Sequence, residues 1–234
     1  MKKTGLLILF LSTLMSQAQE RVITTAVPFL LISGDARGAG IGDMGVATST
    51  DAYSQQYNPA KYAFALSGQG FSASYTPYLT DIANDISLGQ VTYYNRLNEK
   101  SAFAGSLRYF SLGDIELRRS FEDIGRTVTP NELAVDLSYS LKLDERFSMA
   151  VGGRFISSSL KIPDENNDAS AASTFAFDVA GFYQSEEVYY NDFNGRWRAG
   201  FNFQNMGPKI SYDNDALNNN FLPSNLRLGA GFDF

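Results

Sequence analysis

The sequence predicts an all-β fold: a transmembrane antiparallel β-barrel of about eight strands, preceded by a short N-terminal plug-like segment. Apolar and polar residues alternate along each proposed strand, as they do where the two faces of a sheet meet different surroundings. The connections between strands tend to alternate between short and long, as in outer-membrane barrels. After the leader, no run of roughly 18 uncharged apolar residues could form a spanning helix, so strands would have to make any membrane crossing.

The first residues are typical of an export signal. Two lysines precede an uncharged apolar stretch from Gly5 to Met15, and Ser16-Gln17-Ala18 fits the small-x-small pattern of a cleavage site. At about eleven residues, the apolar stretch is too short for a spanning helix. We therefore predict that residues 1–18 are a signal peptide and that the mature chain begins at Gln19.

Residues 19–68 differ in composition from the rest and are predicted to form an N-terminal plug or hatch. The stretch from Ala26 to Ser33 is mostly apolar, and closely spaced glycines follow at positions 38, 40, 42 and 45. Asn58 and Pro59 are residue types typical of a helix N-cap and of the first helical position, and they predict a short helical turn through Phe64. We expect this segment to plug or line the periplasmic mouth of the barrel.

Residues 69–234 are predicted to form the barrel itself. In the clearest strand, from Leu133 to Leu143, leucine, valine and tyrosine fill every second position, and alanine, aspartate, serine and lysine fill the others. Strands of about 10 to 12 residues exceed the usual 5 or 6 of globular sheets, and when tilted they could cross a bilayer. The predicted strands are 69–76, 86–95, 101–112, 133–143, 147–158, 172–183, 195–205 and 224–234.

From residue 101 onward, charged residues within the strand cores lie on one face only. In a barrel these side chains would meet one another across a watery lumen, while the apolar face would contact lipid. A secreted β-sandwich would also have alternating strands, but the strand lengths and the aromatic residues near strand ends favour a barrel with interfacial girdles. The predicted lumen-facing charged residues are Arg108, Asp136, Lys142, Arg154, Asp178, Arg196, Arg198, Arg227 and Asp233.

The predicted connections give an independent indication of orientation. The connections at 96–100 and 144–146 are short, whereas those at 77–85, 113–131, 159–171 and 207–223 are longer. The connection at 184–194 is a near tie with a neighbour. Outer-membrane barrels have short periplasmic turns and longer extracellular loops. With the N-terminus in the periplasm, the long connections are expected to face the cell exterior.

Composition excludes several classes of chemistry. The chain has neither cysteine nor histidine, so disulfides, thiolate chemistry, a Ser-His-Asp relay and a histidine-based zinc site are excluded. Its net charge of −6 becomes −8 without the two leader lysines, because 17 basic residues then face 25 acidic ones. Such a chain does not offer the basic surface that nucleic acids need. We expect no enzymatic activity, no cofactor, no metal site and no nucleic-acid partner.

Three local patterns resemble functional motifs but have simpler explanations. Residues 40–45 match a dinucleotide-binding glycine pattern, yet no βαβ unit surrounds them, so turn-forming or closely packed glycines are the better account. Residues 164–168 have the opening spacing of a calcium loop but lack the glycine and the glutamate required further on. The acidic pairs at 122–123 and 186–187 lie in or near connections, where we expect surface charge.

The N-terminal segment carries a family resemblance. The stretches 26–33, 35–37, 42–48 and especially 51–64 (DAYSQQYNPAKYAF) resemble the N-terminal signature of the PorV family, outer-membrane proteins of the type IX secretion system. The Asn-Pro-Ala core of the last stretch is shared more widely with FadL-type fatty-acid transporters. The residues that carry the resemblance are Pro28, Phe29, Asp35, Arg37, Gly40, Gly42, Asn58, Pro59 and Ala60.

The resemblance implies a FadL-like barrel in the outer membrane of a Gram-negative cell, in contact with lipid and lipopolysaccharide. Such a protein would work beside an outer-membrane translocon, accept cargo proteins through their C-terminal secretion domains, and deliver them to a sortase-like attachment complex at the surface. The family's barrels have more strands than the eight counted here, so we expect a truncated member, or else a smaller closed barrel. The alternative function is a conduit for long-chain fatty acids or other hydrophobic molecules, which the polar inward positions disfavour.

Overall fold

In the described residues, eight long strands form one curled antiparallel half-barrel sheet, which confirms the predicted all-β, barrel-type fold. The computed structural model describes residues 25–81, 83, 85–118, 123–160, 171–190, 192–212 and 219–234. The predicted signal peptide, the calcium-like stretch at 164–168 and Glu122 lie outside the described residues. Within the described residues, no helix has the length and apolar character needed to cross a membrane.

The long strands follow one another in the sheet in chain order, each antiparallel to the next. The largest difference from the predicted bounds is in the strand predicted to begin at residue 133, which begins at Asn131. The long strands are β1 (Gln69–Pro77), β2 (Ile86–Arg96), β3 (Ser101–Leu112), β6 (Asn131–Asp144), β7 (Phe147–Ser159), β8 (Ala172–Gln184), β10 (Asn194–Met206) and β13 (Asn225–Asp233).

Within the described parts of the connections lie five short strands that were not predicted from the sequence. β4 (Ile115–Leu117) pairs with β5 (Arg126–Val128), and β11 (Ile210–Ser211) pairs with β12 (Asn219–Asn220), so two of the long connections contain hairpins. β9 (Val188–Tyr189) pairs with the beginning of β10. The connection at 184–194 was nearly as long as a neighbouring long connection. Part of its length folds back and pairs with the strand that follows it.

The alternation in the sequence sets which face of each strand is covered. On β6, Ala134, Asp136 and Ser140 are at most 3% exposed, whereas Leu137 and Tyr139 are 68% and 44% exposed. Because successive side chains point to opposite faces, the polar and small residues lie on the concave face and the large apolar residues on the convex face. The sheet therefore has a polar interior and an apolar exterior.

Residues 25–65, called here the N-terminal segment, form short helices over the concave face. They comprise a 3₁₀ helix (Pro28–Leu31), α1 (Ala36–Gly40), α2 (Ser54–Tyr57) and a second 3₁₀ helix (Pro59–Phe64). The predicted cap is present: Asn58 precedes the last helix, and its side chain accepts a hydrogen bond from the backbone N–H of Ala60. Proline at the first helical position requires no N–H donor there.

Candidate functional site

The N-terminal segment occupies the concave face from one end of the sheet to the other. The two ends are called here the long-link end and the short-link end, after the connections that meet there. At the long-link end, Phe29 and Leu30 pack in an apolar cluster with residues of β2, β3, β6, β7 and β8. At the short-link end, the Tyr62 ring stacks on Tyr94 at 4.7 Å and Phe64 meets Phe182 at 5.7 Å. The contacts thus extend further than a plug at one mouth would require.

Arg108 on β3 holds the first helix of the segment. Its guanidinium donates to the carbonyl oxygens of Phe29 at 3.0 Å, Leu30 at 3.1 Å and Ile32 at 2.6 Å. Of the three carbonyls, that of Phe29 also accepts the Ile32 N–H and that of Ile32 also accepts the Gln56 amide. The Leu30 carbonyl lies at the helix C-terminus, where carbonyls lack helical partners. No carboxylate of the described residues forms an ion pair with this buried arginine, and its charge is met by the three carbonyls and by the Phe29 ring, whose centroid lies 5.8 Å from Cζ.

A buried ionic cluster lies beside Arg108 on the same face. The Arg154 guanidinium bridges Asp136 and Asp178, with 3.0 Å between its Nη2 and Oδ2 of Asp178. Asp178 also accepts the backbone N–H of Asn205 at 2.8 Å, and the Asn205 amide donates to the Pro223 carbonyl at 3.0 Å. Buried charges need such pairing, because an unpaired one costs several kcal/mol. The cluster ties β6, β7 and β8 to the end of the last long connection.

Asn58 joins the segment to the wall near the short-link end. Its Nδ2 donates to the carbonyl oxygens of Val46 at 2.9 Å and Gly181 at 3.0 Å, and the residue is fully buried. A Cβ at Gly200 would lie 2.6 Å from the Val46 oxygen, so this close approach requires glycine. After Pro59, the carbonyl of Ala60 accepts a hydrogen bond from Ser148 on β7 at 2.7 Å.

Lys61 is a buried cation that the sequence analysis did not single out. Its Nζ donates to the Gly45 carbonyl at 2.8 Å, to Thr48 Oγ1 at 3.2 Å and to the Ser49 carbonyl at 3.4 Å. Burial lowers the pKa of Lys61 to about 8, because the charged form loses its hydration. The ammonium thus closes the loop between α1 and α2. Its place directly after the Asn-Pro-Ala core was the only signal in the sequence.

The remaining family-motif residues lie around α1. Asp35 caps this helix, accepting the Gly38 N–H at 2.7 Å, and it accepts the Tyr57 hydroxyl at 3.0 Å. Burial raises the pKa of Tyr57 above its ordinary value. Arg37 forms an exposed ion pair with Asp51. The other two are the glycines that end the helix: Gly40 has open space around it, and Gly42 has a positive φ of 68°.

The charged residues predicted to face a lumen all lie in the strands of the concave face, but only some of them meet one another. Arg154 contacts both buried aspartates, and Arg198 pairs with Asp233. Others contact aromatic rings of the N-terminal segment instead: Lys142 lies 4.4 Å from the Phe64 ring centroid, and Arg227 lies 5.8 Å from that of Tyr57. Arg196 forms no hydrogen bond or ion pair with the described residues.

The wall holds the segment with further polar side chains that the sequence analysis did not name as a site. Asn202 and Gln204 on β10 donate to the backbone carbonyls of Tyr57 and Gln56 at 2.8 and 2.6 Å. Ser138 donates to Gln55 at 2.6 Å. The alternation of β10 and β6 already indicated that these residues face inward, but not what they would bind. The arrangement is chemically suited to binding a peptide segment.

A family model described as type IX secretion system protein PorV matches residues 15–234. No curated protein matches the chain.

Proposed function

Because the chain belongs to the PorV family of type IX secretion system proteins, we propose that it accepts exported cargo from the translocon and carries it to the surface attachment complex. The family is one of secretion-system components rather than enzymes. The proposed partners are cargo proteins, the translocon and the sortase-like complex. The cargo would be recognised through its C-terminal secretion domains. The match over nearly the whole chain is the observation that carries it.

We further propose that the protein works as a carrier whose interior stays closed. The N-terminal segment occupies the concave face at both ends, and three of its four short helices are hydrogen-bonded to the wall through Arg108, Ser138, Ser148 or Asn202. Opening a path would break several buried hydrogen bonds together, and each broken bond leaves a buried polar group unpaired at a cost of about 1 to 3 kcal/mol. Cargo would therefore use the outer surfaces.

The domain division proposed for this role follows the sequence prediction. Residues 1–18 would be a cleaved signal peptide, 19–68 the plug, and 69–234 the wall in the outer membrane. The convex face supports this location, because Leu137, Phe177 and Leu228 on separate strands are 62–73% exposed. A soluble protein rarely exposes so continuous an apolar surface, whereas lipid and lipopolysaccharide acyl chains would cover it.

A conduit for hydrophobic small molecules remains the second candidate, and one observation favours it. The cluster around Phe29, Leu88 and Ile156 makes the long-link end of the interior apolar. Next to it, however, lie Arg108 and the ionic cluster of Arg154, which a hydrophobic molecule would have to pass. A continuous apolar path is the requirement of this function, and the polar middle of the interior argues against it.

Deleting the gene and restoring it with a tethered variant separates the two functions. Cysteines placed at Ala60 and Ser148, where the Ser148 hydroxyl donates to the Ala60 carbonyl across the segment–wall contact, would be the only two in the chain, so a disulfide between them would tether the segment to the wall. A carrier tolerates this tether, so cargo should reach the surface as in wild type. In the deletion strain, cargo should stay in the periplasm or be released unanchored.

Each single-cysteine variant serves as the control for folding defects. Normal secretion in the deletion strain, together with lost uptake of long-chain fatty acids, would reverse the ranking of the two functions. Lost secretion in the tethered variant alone, restored by a reducing agent, would contradict the closed interior while leaving the secretion role intact.

A further inference from the structure

A cationic pocket of about 270 Å³ opens at the short-link end, between the last residues of the N-terminal segment and β10. Arg196 and Arg198 line one side of it. Phe64 and Tyr94 contribute aromatic walls, and Ser67 and Gln184 contribute polar groups. None of the residues lining the pocket is acidic, although the whole chain has a net charge of −6.

The two arginines differ in how their charges are balanced. Arg198 pairs with Asp233 at the rim and donates through Nε to Gln184 at 3.2 Å. Arg196 is partly buried, and nothing in the described ranges forms a hydrogen bond or ion pair with it. Its planar group has five N–H donors, whose geometry matches the two oxygens of a carboxylate. The N–H groups of Arg196 are thus available to donate to an oxyanion in the pocket.

A second pocket, of about 280 Å³, adjoins the first and shares Phe64, Gln184 and Arg196 with it. Lys142 and Arg146 line this second pocket together with Glu145 and Glu186. Arg146 pairs with Glu186 at 2.5 Å. Apart from the shared Arg196, the two basic and two acidic residues of the second pocket balance one another. A ligand with several negative charges would therefore be attracted by the first pocket but repelled by the carboxylates of the second.

We propose that the first pocket binds a single carboxylate side chain of a peptide segment, with Arg196 as the bidentate partner. The neighbouring peptide residue would lie in the second pocket, against Phe64, and would be uncharged. Two adjoining pockets that share Arg196 and two neighbouring residues suit an extended chain rather than a compact ion, and the carboxylates of the second pocket disfavour polyanions. The pocket opens toward the short connections, which is the periplasmic side in the proposed orientation.

The test uses the full-length protein in nanodiscs of zwitterionic lipid. The probe is a short fluorescein-labelled peptide with one central glutamate, and its twin has glutamine at that position. Fluorescence anisotropy should show that the glutamate peptide binds roughly 10- to 100-fold more tightly, the range expected for a charge-assisted bidentate contact. Arg196→Gln should abolish this preference. Arg118→Gln, at an exposed arginine paired with Glu116 in a long connection, is the matched control and should keep it.

Other results would overturn the proposal. Equal binding of the two peptides by the wild type, or a preference that survives Arg196→Gln, would exclude the site. Full displacement of the glutamate peptide by equimolar inorganic phosphate would show an unspecific anion site. If Arg196→Gln fails to fold, Arg196→Lys keeps the charge without the planar fork and should reduce the preference several-fold. The assay measures binding in purified protein, so its failure would leave the secretion role untouched.

Discussion

Replacing Arg108 with methionine is expected to release the first helix of the N-terminal segment without unfolding the sheet. Arg108 is 2% exposed, and its guanidinium donates to three backbone carbonyls at 2.6–3.1 Å. Each charge-assisted hydrogen bond contributes about 1.5 to 3 kcal/mol, and methionine has no donor to replace the guanidinium. The Phe29 and Ile32 carbonyls keep a second donor, the Ile32 N–H and the Gln56 amide. Removing a buried cation that lacks a carboxylate partner returns part of its desolvation cost. We therefore expect a net loss of about 3 kcal/mol.

Amide hydrogen exchange in detergent micelles measures this loss locally. The N–H groups of Leu30 and Ile32 donate within the helix to the carbonyls of Val27 and Phe29 at 3.2 and 3.1 Å. A destabilisation of about 3 kcal/mol should speed their exchange by a factor on the order of 100. Amides at the centre of β7 should exchange as in wild type.

Arg118→Met removes an exposed arginine from a long connection and should change neither set of amides. Unchanged exchange at residues 30 and 32 in the Arg108 variant would refute the reasoning, since the three carbonyls would then not depend on the guanidinium. Faster exchange throughout the sheet would refute it differently, by showing that the segment and the wall unfold as one unit.

Three further perturbations test other parts of the structure. Because the folded-state pKa of Lys61 is about 8 and the unfolded value about 10.4, the unfolded chain binds more protons between these values. Denaturant unfolding should therefore show wild type gaining about 2 kcal/mol relative to Lys61→Met as the pH rises from 8 to 10, and parallel pH curves would contradict the burial of this charge. Gly200→Ala should displace the loop it touches and lower the melting temperature, whereas Gly40→Ala, with open space around it, should not; equal melting temperatures would count against the close packing. Leu137→Arg on the convex face should cost about 2 to 4 kcal/mol in a bilayer and impair membrane assembly, whereas Leu97→Arg in a short connection should be tolerated; normal assembly of both would argue against lipid contact.

The positions of the long strands could be predicted from the sequence because their signal is local. On β6, an uninterrupted alternation from Leu133 to Leu143 specifies the strand, its covered face and its approximate length at once. The Asn58 cap was predictable for the same reason, since its partner is two residues away. The short strand β9 was missed because a two-residue pairing leaves no periodic pattern.

The contacts of the interior could not be predicted in the same way. The inward direction of Arg108 followed from alternation, but its three carbonyl partners lie 76–79 residues away and leave no mark in the composition. The inward-facing charged residues were expected to pair with one another. Arg154 does pair with Asp178, whereas Lys142 contacts the Phe64 ring. Which neutral groups would solvate a buried charge depends on the path of the N-terminal segment, which has no periodicity.

The chain-order arrangement of the sheet has a consequence for how this protein folds. Each strand pairs with the next long strand along the chain, so successive hairpins can nucleate with small loop-closure entropy. The bonds from Asn202 and Gln204 to the N-terminal segment, by contrast, join residues 145 and 148 positions apart. Ordering such distant partners costs more entropy, so we expect the strands to pair first and the N-terminal segment to pack against the concave face late. Kinetic experiments should accordingly find a slow final phase that reports on the interior and not on strand pairing.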